Sequence, residues 1–269
     1  MISILMSTYN NGKTLHFAID SILKQTFCDF ELIICDDASE DCSWDILCDA
    51  CREDTRVWIF RNSHNLGLGA SLNKCFGLAK GSYIARQDAD DISSPERLEK
   101  TLEYLQKTEA PYVGCGVCVF DENGVWSHRI YGERISKHII AQKNPFFHPT
   151  MLFRREVFEA SNGYRMVPET RRTEDYDLVM RLAGMGIIGR NLQEYLYYVY
   201  EPKEAYFKHT IFTRWCEVKV RFYGLRQMHS PLRDYLYLLK PIIMCMIPRG
   251  VLRQVKCVQW SKRNDITVK

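Results

Sequence analysis

Tyr83-Ile84-Ala85-Arg86-Gln87-Asp88-Ala89-Asp90-Asp91 begins as a short apolar strand and ends in three carboxylates within four positions. Alternate side chains of an extended chain lie on the same side, so we expect Asp88 and Asp90 to project together. Neighbouring carboxylates repel each other unless a cation lies between them, and an all-oxygen site suits Mg²⁺ or Mn²⁺. The alternative is a solvated acidic turn ahead of a helix, with Ser93 or Ser94 as the N-cap. Both interpretations stay open at this point.

Strand-like and helix-like patterns alternate through the first ninety residues. We predict strands over residues 1–9, 30–35, 57–61 and 82–86, and helices over 15–23, 41–51 and 70–79. This alternation favours a parallel sheet with right-handed crossovers, in which ligands bind at the carboxyl ends of the strands. Ser7-Thr8-Tyr9, Asp36-Asp37 and Asp88-Ala89-Asp90 each follow a strand. We therefore expect these three polar clusters to share one rim of the sheet.

The pattern changes in the second half of the chain. A hairpin is predicted over residues 113–131, followed by a strand at 151–153 and a helix at 155–160. Another clear helix begins near Leu178, directly after a run of acidic residues. With Thr173 as its N-cap, those acids suit the positive end of the helix dipole without any catalytic role.

The composition is that of a globular protein, with 46% hydrophobic and 26% charged residues in 269. This length suits one large α/β domain, or one domain with a small appendage. The 11 cysteines have no framework spacing, which disfavours a zinc or redox site. Gly67-x-Gly69 lacks the third small residue of a dinucleotide fingerprint, which disfavours a nicotinamide or flavin site. Many unpaired thiols without a signal peptide predict a cytoplasmic location.

Charge is distributed unevenly along the chain. Residues 203–269 carry 14 Lys and Arg against 4 Asp and Glu, a net charge of +10, whereas residues 1–202 have a net charge of −7. A basic tail points to an anionic partner, and the absence of a recognisable nucleic-acid module favours a membrane over nucleic acid. The apolar run from Leu236 to Ile247 is shorter than the roughly 20 residues that span a bilayer. We expect it to dock on an anionic membrane surface, or else to pack on the preceding α/β domain.

Together the motifs resemble those of the family 2 glycosyltransferases, which use nucleotide-sugars and have the GT-A fold. The resemblance covers roughly residues 1–200. The matching motifs are Ser7-Thr8-Tyr9-Asn10, Gln25-Thr26-Phe27, Glu31 to Asp41, Asn65-x-Gly67, Asn73, Gly81-x-Tyr83-Ile84, Asp88-Ala89-Asp90-Asp91, His148-Pro149-Thr150 and Thr173 to Leu178.

The resemblance implies an α/β fold with a single Rossmann-like, mostly parallel sheet and flanking helices, followed by a C-terminal helical appendage. It also implies a catalytic domain over residues 1–205. We expect residues 1–110 to bind the nucleotide-sugar and residues 111–205 to bind the acceptor. Residues 206–269 would then form the basic amphipathic region.

The same resemblance assigns roles to individual residues. It makes Asp37 the acceptor for a hydrogen bond from the nucleotide base. The other donor-binding residues that it implies are Ser7, Thr8, Tyr9, Asn65 and Asp88. Asp88 and Asp90 would hold Mn²⁺ or Mg²⁺, Asp175 would be the general base, and Glu174 would be its neighbour in the acceptor site.

These roles imply an inverting hexosyl- or N-acetylhexosaminyl-transferase. The expected donor is a UDP-sugar, and the expected acceptor is a saccharide or lipid-linked saccharide of a bacterial surface glycan, bound at the inner face of the membrane. The alternatives are a sugar-1-phosphate nucleotidyltransferase and a non-catalytic protein that binds nucleotide-sugar or glycan. One feature departs from the family pattern, because residues 197–202 lack the Arg and His that often complete the metal or phosphate site. His209 is the nearest candidate, and a solvated or packed role is the competing interpretation for it.

Overall fold

The structure, a computed structural model, describes residues 1–202 and 211–246. His209, and the parts of the basic tail at 203–210 and 247–269, lie outside the described residues. The strands are β1 Ile2–Thr8, β2 Phe30–Asp36, β3 Val57–Arg61, β4 Tyr83–Asp88, β5 Ile92–Ser93, β6 Tyr112–Asp121, β7 Gly124–Arg129, β8 Leu152–Arg154 and β9 Arg190–Tyr200. The helices are α1 Leu15–Leu23, α2 Ser43–Glu53, α3 Leu68–Leu78, α4 Arg97–Lys107, α5 Lys137–Gln142, α6 Arg155–Ala160, α7 Glu174–Gly184, α8 Ile211–Gln227 and α9 Leu239–Met246.

The first four strands pair in parallel, in the order β3-β2-β1-β4. In this register Thr8 lies opposite Asp36, and Ser7 lies opposite Asp88. Parallel strands present their carboxyl ends at one edge, so the polar residues that end β1, β2 and β4 lie together. The prediction of a shared polar rim is confirmed.

The rest of the sheet is mixed. β8 pairs antiparallel with both β4 and β6, and β6 in turn pairs in parallel with β9. The hairpin predicted over residues 113–131 is present as β6 and β7. β5 pairs with β9, which brings the chain just after the acidic turn against the last strand.

Hydrophobic clusters cover the two faces of the sheet. Alternate β1 side chains point to opposite faces, so Ile4 and Met6 join one cluster while Leu5 joins the other. The Leu5 cluster also contains Val220 and Leu225 from α8. Part of the C-terminal region is therefore packed into the main core.

One predicted helix cap is wrong, and the other is confirmed in position only. The helix after the acidic turn begins at Arg97 with Glu96 at its N-cap, because Ser93 is used in the β5 pairing instead. Thr173 lies at the N-cap position of α7, but its hydroxyl donates to carbonyl oxygens of the preceding turn and makes no capping bond. Ser93 is thus engaged by a tertiary contact, whereas the Thr173 hydroxyl is engaged by local bonds to residues three and four positions earlier.

No helix within residues 1–202 and 211–246 combines the length and apolar character that crossing a membrane requires. Several large apolar side chains are exposed in the first turn of α8, in residues 232–238 and in α9.

Candidate active site

The acidic turn gathers three carboxylates. Asp88 ends β4, Ala89 and Asp90 form the turn, and Asp91 follows directly. One oxygen from each of the three aspartates lies within 4.8 Å of the other two. The expected closeness of Asp88 and Asp90 is confirmed, but its cause is the turn and not the alternation of an extended strand.

Buried polar side chains fix the shape of this turn. Gln87 is fully buried, and its amide donates to the carbonyl oxygens of Asp88 (3.1 Å) and Asp91 (3.0 Å). The Asp91 carboxylate accepts from the backbone N–H of Tyr200 at 2.8 Å. The Tyr197 hydroxyl accepts from the backbone N–H of Asp88 at 3.1 Å. β4 and β9 thus hold the three carboxylates in one geometry.

The charge of this cluster suits a divalent cation. Burial raises the pKa of Asp91 well above its usual range, and the carboxylates of Asp88 and Asp90 raise it further. Ionised neighbours at this distance destabilise one another, and a cation among them removes that cost. The ligand set is all oxygen, which fits Mg²⁺ or Mn²⁺.

Arg86 is a site residue that the sequence interpretation missed. It is buried within β4, and its guanidinium donates to the Asp88 carboxylate and to the carbonyl oxygen of Gln87. Its charge partly opposes the rise that burial causes in the pKa of Asp175, and it adds to the lowering that burial causes in the pKa of His148, so Arg86 lies near residues of the second half. The available signal was a cation inside an apolar strand, two positions before Asp88 and on the same face.

Asp37 is buried and accepts three hydrogen bonds. The donors are the Asn62 amide (2.7 Å) and the backbone N–H groups of Leu66 and Gly67 (both 2.8 Å). An ionised carboxylate accepts about four hydrogen bonds, so roughly one acceptor position is left for a nucleotide base. Asp37 also fixes the loop that carries Asn65, whose side chain is exposed.

The end of β1 lies beside this loop. The backbone N–H of Asp37 donates to the Thr8 carbonyl oxygen at 2.8 Å. The Thr8 hydroxyl is buried against Asn11, while Ser7 is half-buried and Tyr9 is exposed. The structure therefore brings Ser7, Thr8 and Tyr9 to the same rim as Asp37 and Asp88, with Tyr9 open to solvent.

Asp175 and Glu174 lie in the first turn of α7. The Asn144 amide donates to Asp175 Oδ2 at 2.7 Å. Burial raises the pKa of Asp175, although hydrogen bonds from Tyr176 and Asn144 partly oppose the shift. Burial also raises the pKa of Glu174. A desolvated carboxylate held in one orientation is a stronger base than an exposed one, which suits proton abstraction.

His148 is packed into the protein. Its Nε2 lies 2.7 Å from the Tyr164 hydroxyl. Burial, and then the Arg86 charge, hold the pKa of His148 well below its usual range, so the ring is neutral at pH 7. This contact joins His148 to Tyr164, within reach of the Arg86 charge.

Comparison with known families identifies the chain. Residues 3–161 match the family described as Glycosyl transferase family 2. The chain belongs to this family. It is a glycosyltransferase, and the assignment sets aside both a nucleotidyltransferase and a non-catalytic binding protein.

Curated relatives agree with this assignment. The glycosyltransferase EpsE of Bacillus subtilis (strain 168) is 41% identical over 256 residues, covering 94% of this chain and 92% of EpsE. The glucosyltransferase WfaP of Escherichia coli is 32% identical over 106 residues, covering 39% of this chain and 41% of WfaP. The full name of WfaP gives UDP-Glc as its donor and GlcNAc-diphosphoundecaprenol as its acceptor.

Solved structures confirm the GT-A fold. TarS of S. aureus, crystallised with UDP-GlcNAc, matches with a TM-score of 0.68 at 16% identity, over 88% of this chain and 72% of that one. The mannosyltransferase PcManGT of Pyrobaculum calidifontis, solved with GDP-Man and Mn²⁺, matches with a TM-score of 0.65 at 16% identity, over 96% and 79%. The predicted α/β architecture with a helical C-terminal region is confirmed.

Proposed function

We propose that this glycosyltransferase moves one sugar from a nucleotide-sugar, a UDP-sugar, to a saccharide hydroxyl with inversion. The observation that carries the proposal is that a cluster of three carboxylates and a separate, buried carboxylate both lie near the buried guanidinium of Arg86. Asp88, Asp90 and Asp91 form a metal-binding cluster, while Asp175 stands apart with a raised pKa, and Arg86 influences both. The donors named for TarS and PcManGT support a nucleotide-sugar, and the Mn²⁺ of PcManGT supports a metal.

The donor half performs the leaving-group chemistry. Asp37 and the end of β1 hold the base and ribose, and Asp88 with Asp90 holds Mn²⁺ or Mg²⁺. When bound, the cation neutralises charge that develops on the departing diphosphate. Arg86 keeps one oxygen of Asp88 engaged, and this limits the directions in which that carboxylate can bind a metal.

The acceptor half performs the proton transfer. Asn144 donates to Asp175 Oδ2, and the acceptor hydroxyl would bind at Asp175 Oδ1. The acceptor oxygen forms a bond to the anomeric carbon as the bond from that carbon to the diphosphate oxygen breaks. The proton passes to Asp175, and the nucleoside diphosphate leaves. One base on the face opposite the leaving group suffices for a single displacement with inversion. Glu174 lies next to Asp175 and lines the acceptor-binding side of the site.

We infer a lipid-linked saccharide acceptor. The support is the acceptor in the name of WfaP, a sugar on diphosphoundecaprenol. We also propose that residues 1–110 bind the donor, that residues 111–205 bind the acceptor, and that residues 206–269 form a basic amphipathic region.

The same region would dock the enzyme on the inner face of a membrane. Large apolar side chains of α8, α9 and residues 232–238 are exposed, including Leu232 at 88% and Leu236 at 68%. A net charge of +10 over residues 203–269 complements an anionic bilayer. Exposed apolar side chains beside basic residues are typical of an interfacial anchor.

The reaction can be tested with purified enzyme, Mn²⁺ and a panel of UDP-sugars. We expect one donor to release UDP slowly without acceptor and faster with a lipid-linked saccharide, and we expect NMR of the product to show the inverted anomer. A product of retained configuration would contradict single displacement. Absence of UDP release with every donor would contradict the UDP-sugar assignment.

A further inference from the structure

Two motifs that the sequence shares with the family have no role in the proposed reaction. They are Asn73 on α3 and His148-Pro149-Thr150, and the structure joins them through Tyr164. The Asn73 amide donates to the Tyr164 carbonyl oxygen at 2.7 Å, and the Tyr164 N–H donates to the Asn73 side-chain oxygen at 2.8 Å. The Tyr164 hydroxyl lies 2.7 Å from His148 Nε2. Tyr164 is 3% exposed, so both motifs hold one buried ring.

The residue before Tyr164 has to be glycine. Gly163 has a left-handed backbone, at φ 65°, and a Cβ added to it would lie 2.5 Å from Asn73 Oδ1. Its carbonyl oxygen also accepts from the Arg181 guanidinium at 2.7 Å. Any side chain at position 163 would therefore disturb the pairing of Asn73 with Tyr164. The backbone on both sides of this pairing is fixed, and with it the direction of the phenol.

The turn that carries His148 lies against the donor strand β4. Arg97 donates to the carbonyl oxygens of Arg86 (3.1 Å) and Pro149 (3.5 Å). The backbone N–H of Arg86 donates to the carbonyl oxygen of Met151 at 3.0 Å. His148 is thus held beside the strand that ends in the acidic turn.

Tyr164 lies against the start of α7, which carries the proposed base. A Cβ added at Gly69 would lie 3.4 Å from Tyr164 Cβ and also 3.4 Å from Glu174 Cγ, so these two side chains approach the same point of α3. Burial raises the pKa of Tyr164 most, and among smaller effects the carboxylates of Asp175 and Asp88 raise it further. The phenol therefore lies within reach of carboxylates from both halves of the site.

His148 has one ring nitrogen left for a ligand. Its Nε2 is engaged by Tyr164, and no residue within 1–202 or 211–246 forms a hydrogen bond with Nδ1. Burial, and then the Arg86 charge, keep the ring neutral at pH 7, so one nitrogen donates and the other accepts. The bond to Tyr164 decides which role falls to Nδ1. A sugar hydroxyl fits either role, because it can donate and accept, and the half-buried ring is open to one.

We propose that His148 Nδ1 hydrogen-bonds a hydroxyl of the sugar being transferred, and that Tyr164 is the positioning residue that orients the ring. This inference rests on the proposed function. In that reaction the sugar lies between its diphosphate, bound at Asp88 and Asp90, and the acceptor hydroxyl, bound at Asp175. His148 and Tyr164 join the elements that carry these two centres, β4 and α7. A neutral ring also adds no positive charge beside the anomeric carbon, where positive charge develops during displacement.

Calorimetry on the full chain with Mn²⁺ tests this contact. The probes are UDP and the UDP derivatives of glucose, galactose, N-acetylglucosamine and N-acetylgalactosamine, of which the tightest-binding UDP-hexose is used. A Gln amide takes the place of histidine Nε2, so His148→Gln keeps a partner for Tyr164 and loses the sugar contact. We expect it to weaken UDP-hexose binding by about 3- to 10-fold, the size of one hydrogen bond between uncharged groups. The Kd of UDP should stay within about twofold.

Three further variants separate the sugar contact from packing. An Asn amide takes the place of Nδ1, so His148→Asn should weaken UDP-hexose binding less than His148→Gln does. Tyr164→Phe removes only the hydroxyl that orients the ring, and it should weaken the UDP-hexose without weakening UDP. Its effect should not add to that of His148→Gln in the double variant, because both act through one contact. His16→Gln, at an exposed position on α1, is the matched control and should change neither Kd.

Any of five results would overturn the proposal. The first two are unchanged UDP-hexose binding by His148→Gln, and parallel weakening of UDP and the UDP-hexose. The next two are weaker UDP-hexose binding by His148→Asn than by His148→Gln, and full additivity in the double variant. Either of these would assign His148 and Tyr164 a packing role. The fifth is binding of UDP by the wild type without binding of any UDP-hexose.

A separate measurement isolates the proposed function. UDP with Mn²⁺ should raise the melting temperature of the wild type, because a ligand that binds the folded state stabilises it. Stabilisation by UDP with Mn²⁺, combined with unchanged UDP-hexose binding by His148→Gln, would reject the sugar contact and leave the transferase proposal standing. No stabilisation by UDP with Mn²⁺ would instead count against the UDP-sugar assignment.

Discussion

Aspartates of identical chemistry lie in three different environments in this glycosyltransferase. Asp37 accepts three hydrogen bonds and fixes a loop. Asp88 is paired with Arg86 and faces two other carboxylates. Asp175 is desolvated and held by one amide. These environments account for different tasks, since hydrogen bonds and cations favour the ionised form whereas burial favours the protonated form.

Asp90→Asn should abolish metal-dependent donor turnover. The variant removes one ligand charge from the cluster while the buried contacts of Gln87 and Asp91 keep the turn in place. UDP release is measured against Mn²⁺ concentration, together with the melting temperature. Asp20→Asn, an exposed aspartate paired with Lys24 on α1, is the matched control. Wild-type turnover by the Asp90 variant at ordinary Mn²⁺ would contradict the metal assignment.

Asp175→Asn should reduce transfer by at least about 100-fold, the lower end for a general base, with donor affinity nearly unchanged. Its stability provides a second readout. Burial raises the folded-state pKa above the unfolded value, so this carboxyl stabilises the protein at low pH, and that contribution is lost as pH rises through the folded pKa. At pH 7 the variant should therefore unfold at the same temperature or a higher one.

The alternative role for Asp175 makes the opposite prediction. If the carboxylate only serves the dipole of α7, Asp175→Asn should cost about 0.3–1 kcal/mol of stability and leave transfer intact. A pH profile of the wild type gives an independent check. Because the base must be ionised, activity should fall as pH drops through a pKa above the usual aspartate range. An acid limb at an ordinary aspartate pKa would contradict the role of burial.

Arg86→Met should destabilise the protein, and most of all without metal. Breaking a buried ion pair typically costs about 3–5 kcal/mol, and solvent at the partly exposed Asp88 should reduce this to roughly 1–3. Mn²⁺ should stabilise the variant more than the wild type, because it then supplies the missing positive charge. Denaturant unfolding with EDTA or Mn²⁺ measures both effects. Arg52→Met breaks an exposed pair with Asp49 and should change stability by less than about 0.5 kcal/mol.

The elements of this fold explain why those residues meet. β1, β2 and β4 end at one edge, and β9 returns to the acidic turn through Tyr197 and Tyr200. On the acceptor side, α7 presents Asp175, and α8 crosses α7 closely enough to complete a cavity there. Helix α8 therefore contributes side chains both to the cavity beside Asp175 and to the hydrophobic core.

Gly224→Ala should loosen the packing of α8 on α7. A Cβ at Gly224 would lie 2.7 Å from Met180 Cβ, which cannot move without its backbone. Overpacking of this kind costs about 1–3 kcal/mol. Gly77→Ala in α3 is the matched control, since a Cβ there meets nothing within 4 Å and should stabilise the helix by about 0.5–1 kcal/mol. Equal thermal stability of the two variants would contradict a tight α7–α8 crossing.

At the scale of the whole molecule, the described C-terminal helices have two faces. Val220, Leu225 and Met228 are buried in the main core, whereas Leu236, Leu239 and neighbouring apolar side chains are exposed. Packing on the catalytic domain therefore buries only part of the apolar surface of these helices. Deleting the region would also remove core residues, so point variants are the better test of membrane docking.

The double variant Leu236→Gln, Ile243→Gln should bind anionic vesicles more weakly than the wild type does. Each side chain offers exposed apolar area beside a basic region, and such area contributes about 25 cal/mol per Å² when buried. Co-sedimentation with phosphatidylglycerol vesicles at low salt measures binding. Phe17→Gln, an exposed apolar residue on α1, is the control. Equal sedimentation of the double variant and the wild type, or no sedimentation of either, would contradict the anchor.

The sequence by itself determined the parallel half of the sheet and most of the candidate site. Alternating apolar patterns place β1 to β4, and polar residues at their ends mark the rim, because strand periodicity and strand-end binding are local consequences of the chain. Tertiary structure alone decided the rest. The Tyr197 contact with Asp88, the Asn144 bond to Asp175 and the cavity beside Asp175 join residues distant along the chain. Local sequence patterns do not predict such contacts, because side chains become buried and paired only when the helices and strands pack together.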